Sequence, residues 1–142
     1  MSPGSGRVRE PASGAFDVEV APGASLQAAV ERCRPGGAIL LRRGTHHTGL
    51  VIISREVHVF GRGQATLRVP PTGRCLTLTA AVATLDGLNV RGPPAAPPIP
   101  AGTLTAAILI RAGAARLQEC DISTSVLAIG VIGGYPVLLN CR

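Results

Sequence analysis

The chain has no lysine and no tryptophan. Walker-type phosphate binding needs a lysine on the phosphates, so that chemistry is excluded. The aromatic residues are Phe16, Phe60 and Tyr135. Phe60 falls at a corner and Tyr135 in the Gly133-Gly134-Tyr135-Pro136 turn, so neither is expected to form with a neighbour the flat stacking platform that bases and sugars use. Acidic residues are also scarce: Glu10, Asp17, Glu19, Glu31, Glu56, Asp86, Glu119 and Asp121 are all there are. No apolar run approaches the roughly 20 residues of a membrane span. The longest candidate, Ser125 to Leu139, is broken by Gly130, Gly133, Gly134 and Pro136. The N-terminus lacks the apolar stretch of a secretion signal, so a cytoplasmic location and no membrane association are expected.

What remains is the composition of one folded domain, 142 residues long with 46% hydrophobic and 15% charged residues. All 14 basic residues are arginine, giving a formal charge of +6. Arginine, alanine, glycine and proline share GC-rich codons, so genome composition accounts for the excess as simply as an anionic partner does. The arginines are scattered without aromatic interleaving, which disfavours nucleic acid as a partner. Cys33, Cys75, Cys120 and Cys141 show neither Cys-x-x-Cys nor knuckle spacing. They read as reduced core residues, with no metal and no cofactor implied. Adjacent His46 and His47 read as solvated turn residues, and His58 as an outward strand position. Gly61-Arg62-Gly63 lacks the third glycine and the following helix of a dinucleotide loop, so it reads as a tight turn.

The dominant signal is a repeat. Leu50-x-Ile52, Leu76-x-Leu78, Ile108-x-Ile110 and Ile129-x-Val131 precede Val59, Leu85, Leu117 and Leu138 by a constant interval, and successive copies are offset by 26, 32 and 21 residues. Taking the shortest offset as the bare repeat, the extra length of one copy falls on Pro93 to Thr103, a proline-rich segment expected to be a loop. Three copies share an apolar-x-x-apolar pattern: Leu85-Asp-Gly-Leu88, Leu117-Gln-Glu-Cys120 and Leu138-Leu-Asn-Cys141. Side chains alternate along a strand, so both apolar ends face inward only if the chain bends at the x-x pair. Each copy is therefore one coil, and coils in register stack like on like. Leu76, Ile108 and Ile129 are expected to form one buried column; Leu85, Leu117 and Leu138 form another.

The fold class this predicts is all-β, a right-handed parallel β-helix. Leu26-Gln-Ala-Ala-Val30, Gly36-Gly-Ala-Ile39, Gly44-Thr-His-His47 and Val57-His-Val59-Phe-Gly61-Arg-Gly63 together resemble the opening of pectin-lyase-like β-helix domains. The later apolar-x-x-Cys-x-apolar coils are more similar to a non-enzymatic branch, the β-helix F-box proteins and the Shc-binding spindle proteins. That resemblance implies a capping helix, which the residues themselves place over 25–33, with Ser25 as N-cap and Leu26, Ala29 and Val30 as its apolar stripe. It divides the chain into a flexible segment 1–23 and a β-helix domain 24–142. The latter stops in mid-coil and is expected to be incomplete at its C-terminus.

Functionally, glycoside hydrolysis needs two carboxylates across the scissile bond, and only Asp86, Glu119 and Asp121 fall on the repeating coils. The offsets place Asp121 beside Asn89 and Arg142, and Glu119 beside Gly87 and Asn140, an arrangement for corner hydrogen bonds and an Asp121–Arg142 pair. No catalytic, cofactor-binding or metal residue is therefore assigned. The expected function is a non-catalytic scaffold for protein-protein interaction. The alternative is a fragment of a carbohydrate-active lyase or hydrolase whose active site lies outside this chain.

Overall fold

The computed structural model describes residues 16–47, 51–68, 76–91, 106–123 and 127–141. The Pro93 to Thr103 segment and Cys75 lie outside the described residues. In chain order the elements are β1 (Val18–Val20), α1 (Leu26–Arg32), β2 (Gly37–Leu41), β3 (Gly44–His47), β4 (Val51–Ile53), β5 (Val57–Arg68), β6 (Leu76–Leu78), β7 (Val82–Arg91), β8 (Ala106–Ile110), β9 (Ala114–Gln118), β10 (Asp121–Ser123), β11 (Leu127–Val131) and β12 (Val137–Leu139). Every strand pairing among them is parallel. One sheet runs β1-β2-β5-β7-β9-β12, with β3 beside β5 and β10 beside β7; a second runs β4-β6-β8-β11. In chain order β4, β6, β8 and β11 of the second sheet lead into β5, β7, β9 and β12 of the first, which also holds β1, β2, β3 and β10. The result is a parallel β-solenoid of about four turns.

Both expected columns stack in register, but their last members are not fully buried: Ile129 is partly buried and Leu138 is 51% exposed. Leu76, Ile108 and Ile129 are register partners in the second sheet. In the first sheet Leu85, Leu117 and Leu138 align, and the column runs back through Val59 and Ile39 to Val18. The inner positions of the middle coils are closed to solvent, Ile108 and Leu117 completely so. At roughly 25 cal/mol per Å² of apolar surface removed from water, these columns are the main favourable term of the fold.

The first copy is one residue out of phase with the sequence reading. Val51 pairs with Leu76 and Ile53 with Leu78; both are buried, whereas Ile52 is 45% exposed. Leu50-Val51-Ile52-Ile53 is apolar throughout, so alternation carries no phase there, and a one-residue slip exchanges the two faces. The sequence reading also assigns Val18–Val20 to the N-terminal segment, but the structure places them in β1, paired with β2.

The corners form where the x-x pairs predict them. Gly87, Glu119 and Asn140, each two residues beyond a column leucine, take positive φ of 67°, 55° and 52°. That left-handed step re-aims the chain so that Leu88 and Cys120 also point inward. The first-sheet coil of β5 turns differently: Phe60 pairs with Asp86 and Ala65 with Leu88. Residues 61–64 therefore face the single Gly87, with Arg62 and Gly63 at positive φ. This irregularity is the turn expected at Gly61-Arg62-Gly63.

Helix α1 begins at Ser25, whose side chain accepts a hydrogen bond from the Ala28 N–H at 3.1 Å. Leu26, Ala29 and Val30 are its buried residues, and it packs against β1 and β4. Among the described residues no helix is long and apolar enough to cross a membrane.

Candidate functional site

Two places gather chemistry-bearing side chains: the outward face of the first sheet and the corner beyond β9 and β12. On the outward face, His58, Thr84 and Arg116 are successive register partners, as are Phe60, Asp86 and Gln118. The His58 Nδ1 lies 2.7 Å from Thr84 Oγ1, and His58 Nε2 lies 3.5 Å from Glu56 Oε2. Gln118 Nε2 donates to Asp86 Oδ2 at 2.7 Å. Hydroxyl, imidazole and carboxylate in that order are the elements of an activated nucleophile. Thr84, however, has no exposed surface, so a substrate has no path to its oxygen. Thr84 and Gln118 instead meet the requirement that buried polar groups be hydrogen-bonded.

These contacts follow from the register. Thr84 lies 26 residues after His58, and Gln118 lies 32 after Asp86. Those are the repeat offsets of the sequence, so the offsets hold the signal for both pairs; applied only to apolar columns, they miss them. His58 is an outward strand residue as expected. His46 is not a solvated turn residue: it lies in β3 opposite Leu67 and is 1% exposed. Its Nε2 is 2.8 Å from the Arg42 carbonyl oxygen, so this nitrogen carries the proton and donates. Buried Nδ1 has no partner. The strand phase of β3, set by pairing with β5, turns His46 inward, and the Gly44-led sequence gives no alternation from which to read that.

The corner holds an open cleft of about 500 Å³ lined by Glu119, Cys120, Asp121, Asn140 and Cys141. Glu119 Oε1 accepts from Asn140 Nδ2 at 2.9 Å, as the stacking of these two residues implies. Asp121 pairs in register with Asn89, and Arg91 Nη2 lies 3.3 Å from its Oδ2. The Asp121–Arg142 pair of the sequence reading lies outside the described residues, because Arg142 does. Asp86, the third acid on the coils, accepts from Gln118 as described above. Burial, above all, pushes the Cys120 thiol up to about 12.

Far from this corner, Asp17 accepts from the Ala38 N–H at 2.8 Å and from Arg34 Nε at 2.7 Å. The amide first and the guanidinium second hold its carboxyl below the usual carboxylate value. Among the described residues no group of three or more His, Cys, Asp or Glu side chains is placed to hold a metal ion. Cys33, Cys120 and Cys141 are free thiols. Comparison of the chain with protein families, with curated proteins and with solved structures finds no significant match.

Proposed function

We propose that this chain is a non-catalytic, right-handed β-helix of the pectin-lyase-like type, with α1 closing one end, serving in the cytoplasm as a rigid scaffold for a protein partner. The observation that carries the reading is the state of the acids. Of the eight, Glu10 lies outside the described residues, and each of the other seven is engaged by a neighbouring side chain of its own fold. The pairs are Asp17 with Arg34, Glu19 with Arg42, Glu31 with Gln27, Glu56 with His58, Asp86 with Gln118, Glu119 with Asn140, and Asp121 with Arg91. Acid–base cleavage of a glycan needs two carboxylates turned toward one bond; here the carboxylates are spent on local structure. Ile132 and Tyr135, 54% and 87% exposed on the turn between β11 and β12, add apolar surface of the kind protein partners cover.

One observation favours the alternative of a carbohydrate-active fragment. Thr45, Thr66, Asn89 and Asp121 are register partners across the coils, and His47, Arg68 and Arg91 form a parallel basic column beside them. A linear anionic glycan could lie along such a ladder. Incubation with polygalacturonate, with and without calcium, separates the readings. No unsaturated or reducing-end product is expected, and calcium-dependent product from this chain overturns the scaffold reading. Interaction is tested by cross-linking and mass spectrometry in a cell extract: cross-links to a defined protein should centre on 132–135 and be lost in Tyr135→Asp.

A further inference from the structure

Cys120 and Cys141 occupy equivalent places on successive coils. Leu138 pairs with Leu117 and Leu139 with Gln118. The correspondence continues through the corner, where Asn140 and Glu119 share the positive φ and a side-chain hydrogen bond. One residue further on, the two thiols make the same pair of contacts. Cys120 Sγ donates to the carbonyls of Leu85 at 3.4 Å and Gln118 at 3.5 Å; Cys141 Sγ donates to those of Leu117 at 3.2 Å and Leu139 at 3.6 Å. Leu85 and Leu117 are themselves register partners. The thiols are thus related by one coil step, which sets their Cα atoms about 4.8 Å apart, inside the roughly 4.4–6.8 Å range of disulfides. Both line the corner cleft. Cys120 is 2% exposed and Cys141 is half-buried, so a reagent in the cleft meets Cys141 first.

We propose that Cys120 and Cys141 form a thiol–disulfide exchange site, which takes a small disulfide at Cys141 and closes to a bond between the two coils. With glutathione disulfide as oxidant, the Cys141 thiolate attacks one of its sulfurs. A Cys141–glutathione mixed disulfide forms, and one glutathione thiol leaves. The Cys120 thiolate then attacks Cys141 Sγ, forming the Cys120–Cys141 bond and expelling the second glutathione thiol. Two protein thiols are oxidised, one disulfide is reduced to two thiols, and the two cysteine protons end on the released glutathione. Of the charged groups nearby, Asp86 of β7 acts on Cys120, Glu119 and Asp121 line the cleft with the pair, and Arg91 is bound to Asp121. Because burial suppresses ionisation of Cys120, the second step is the slower one.

The test is to incubate the full chain with glutathione disulfide, block free thiols by alkylation at timed intervals, and map peptides by mass spectrometry without reduction. A glutathione adduct on Cys141 should appear first. It should then give way to a Cys120–Cys141 cross-linked peptide that is two hydrogens lighter than the two free peptides. Cys120→Ala should retain the adduct on Cys141, and Cys141→Ala should show neither adduct nor cross-link at Cys120. A lasting Cys141 adduct in the unsubstituted protein without cross-link overturns the proposal, as does a cross-link that joins either thiol to Cys33 or Cys75. The unsubstituted protein decides by itself, so a variant that fails to fold does not blunt the result.

Discussion

Replacing Gly113 by alanine should cost far more than the same replacement at Gly63, although both glycines have nearly the same φ. Gly113 has φ +79° and Gly63 φ +74°. In this left-handed region an alanine costs roughly 1–2 kcal/mol at either place. Their surroundings differ. A Cβ on Gly63 meets nothing within 4 Å, whereas one on Gly113 overlaps the Ala80 carbonyl oxygen and comes within 2.8 Å of Ala81 Cα. Those atoms are backbone of the preceding coil, so no rotamer change relieves the overlap and the turns must separate. Separation strains the Ala114 N–H bond to the Ala81 carbonyl, now 2.7 Å, worth about 1 kcal/mol. It also loosens packing around buried Ala115, and overpacking of this kind costs typically 1–3 kcal/mol. Gly63→Ala should therefore lose about 1–2 kcal/mol and Gly113→Ala about 3–6 kcal/mol, read from urea midpoints at unchanged slope. Equal midpoints for the two variants would refute the claim that direct backbone contact between coils sets the stacking distance.

The phase correction in the first copy is tested by Ile52→Asp and Ile108→Asp: the exposed site should change stability by less than about 1 kcal/mol, and the buried one should unfold the domain or cost several kcal/mol. His46→Leu should change stability by less than about 2 kcal/mol in thermal unfolding, because removal of the unpartnered buried Nδ1 offsets loss of the Nε2 hydrogen bond to the Arg42 carbonyl; a larger loss would contradict the geometry at Nδ1. The depressed Asp17 value means that its contribution is present above the unfolded-state carboxylate value of about 3.9 and is lost as pH falls through the lower folded value. Asp17→Asn should flatten that part of the acid stability profile, and an NMR titration placing the Asp17 midpoint at or above 3.9 would remove the basis for it.

Sequence alone determined the period of this protein. The offsets of 26, 32 and 21 residues recur in the strand pairing because stacked coils place chemically similar side chains over one another, so periodicity in the chain is periodicity in space. Column leucines, x-x corners and the Ser25 cap were legible for the same reason: each is a local pattern with a local cause. Tertiary structure decided what local pattern leaves degenerate. It selected Val51 and Ile53 over Ile52 as inward residues within a uniformly apolar run, since only pairing with β6 supplies a phase. It turned His46 into the core through its pairing with β5, and it gave Asp121 the guanidinium of Arg91. It also brought His58 to Thr84. Contacts of that kind join residues a whole coil apart, and their chemistry exists only once the coils have stacked.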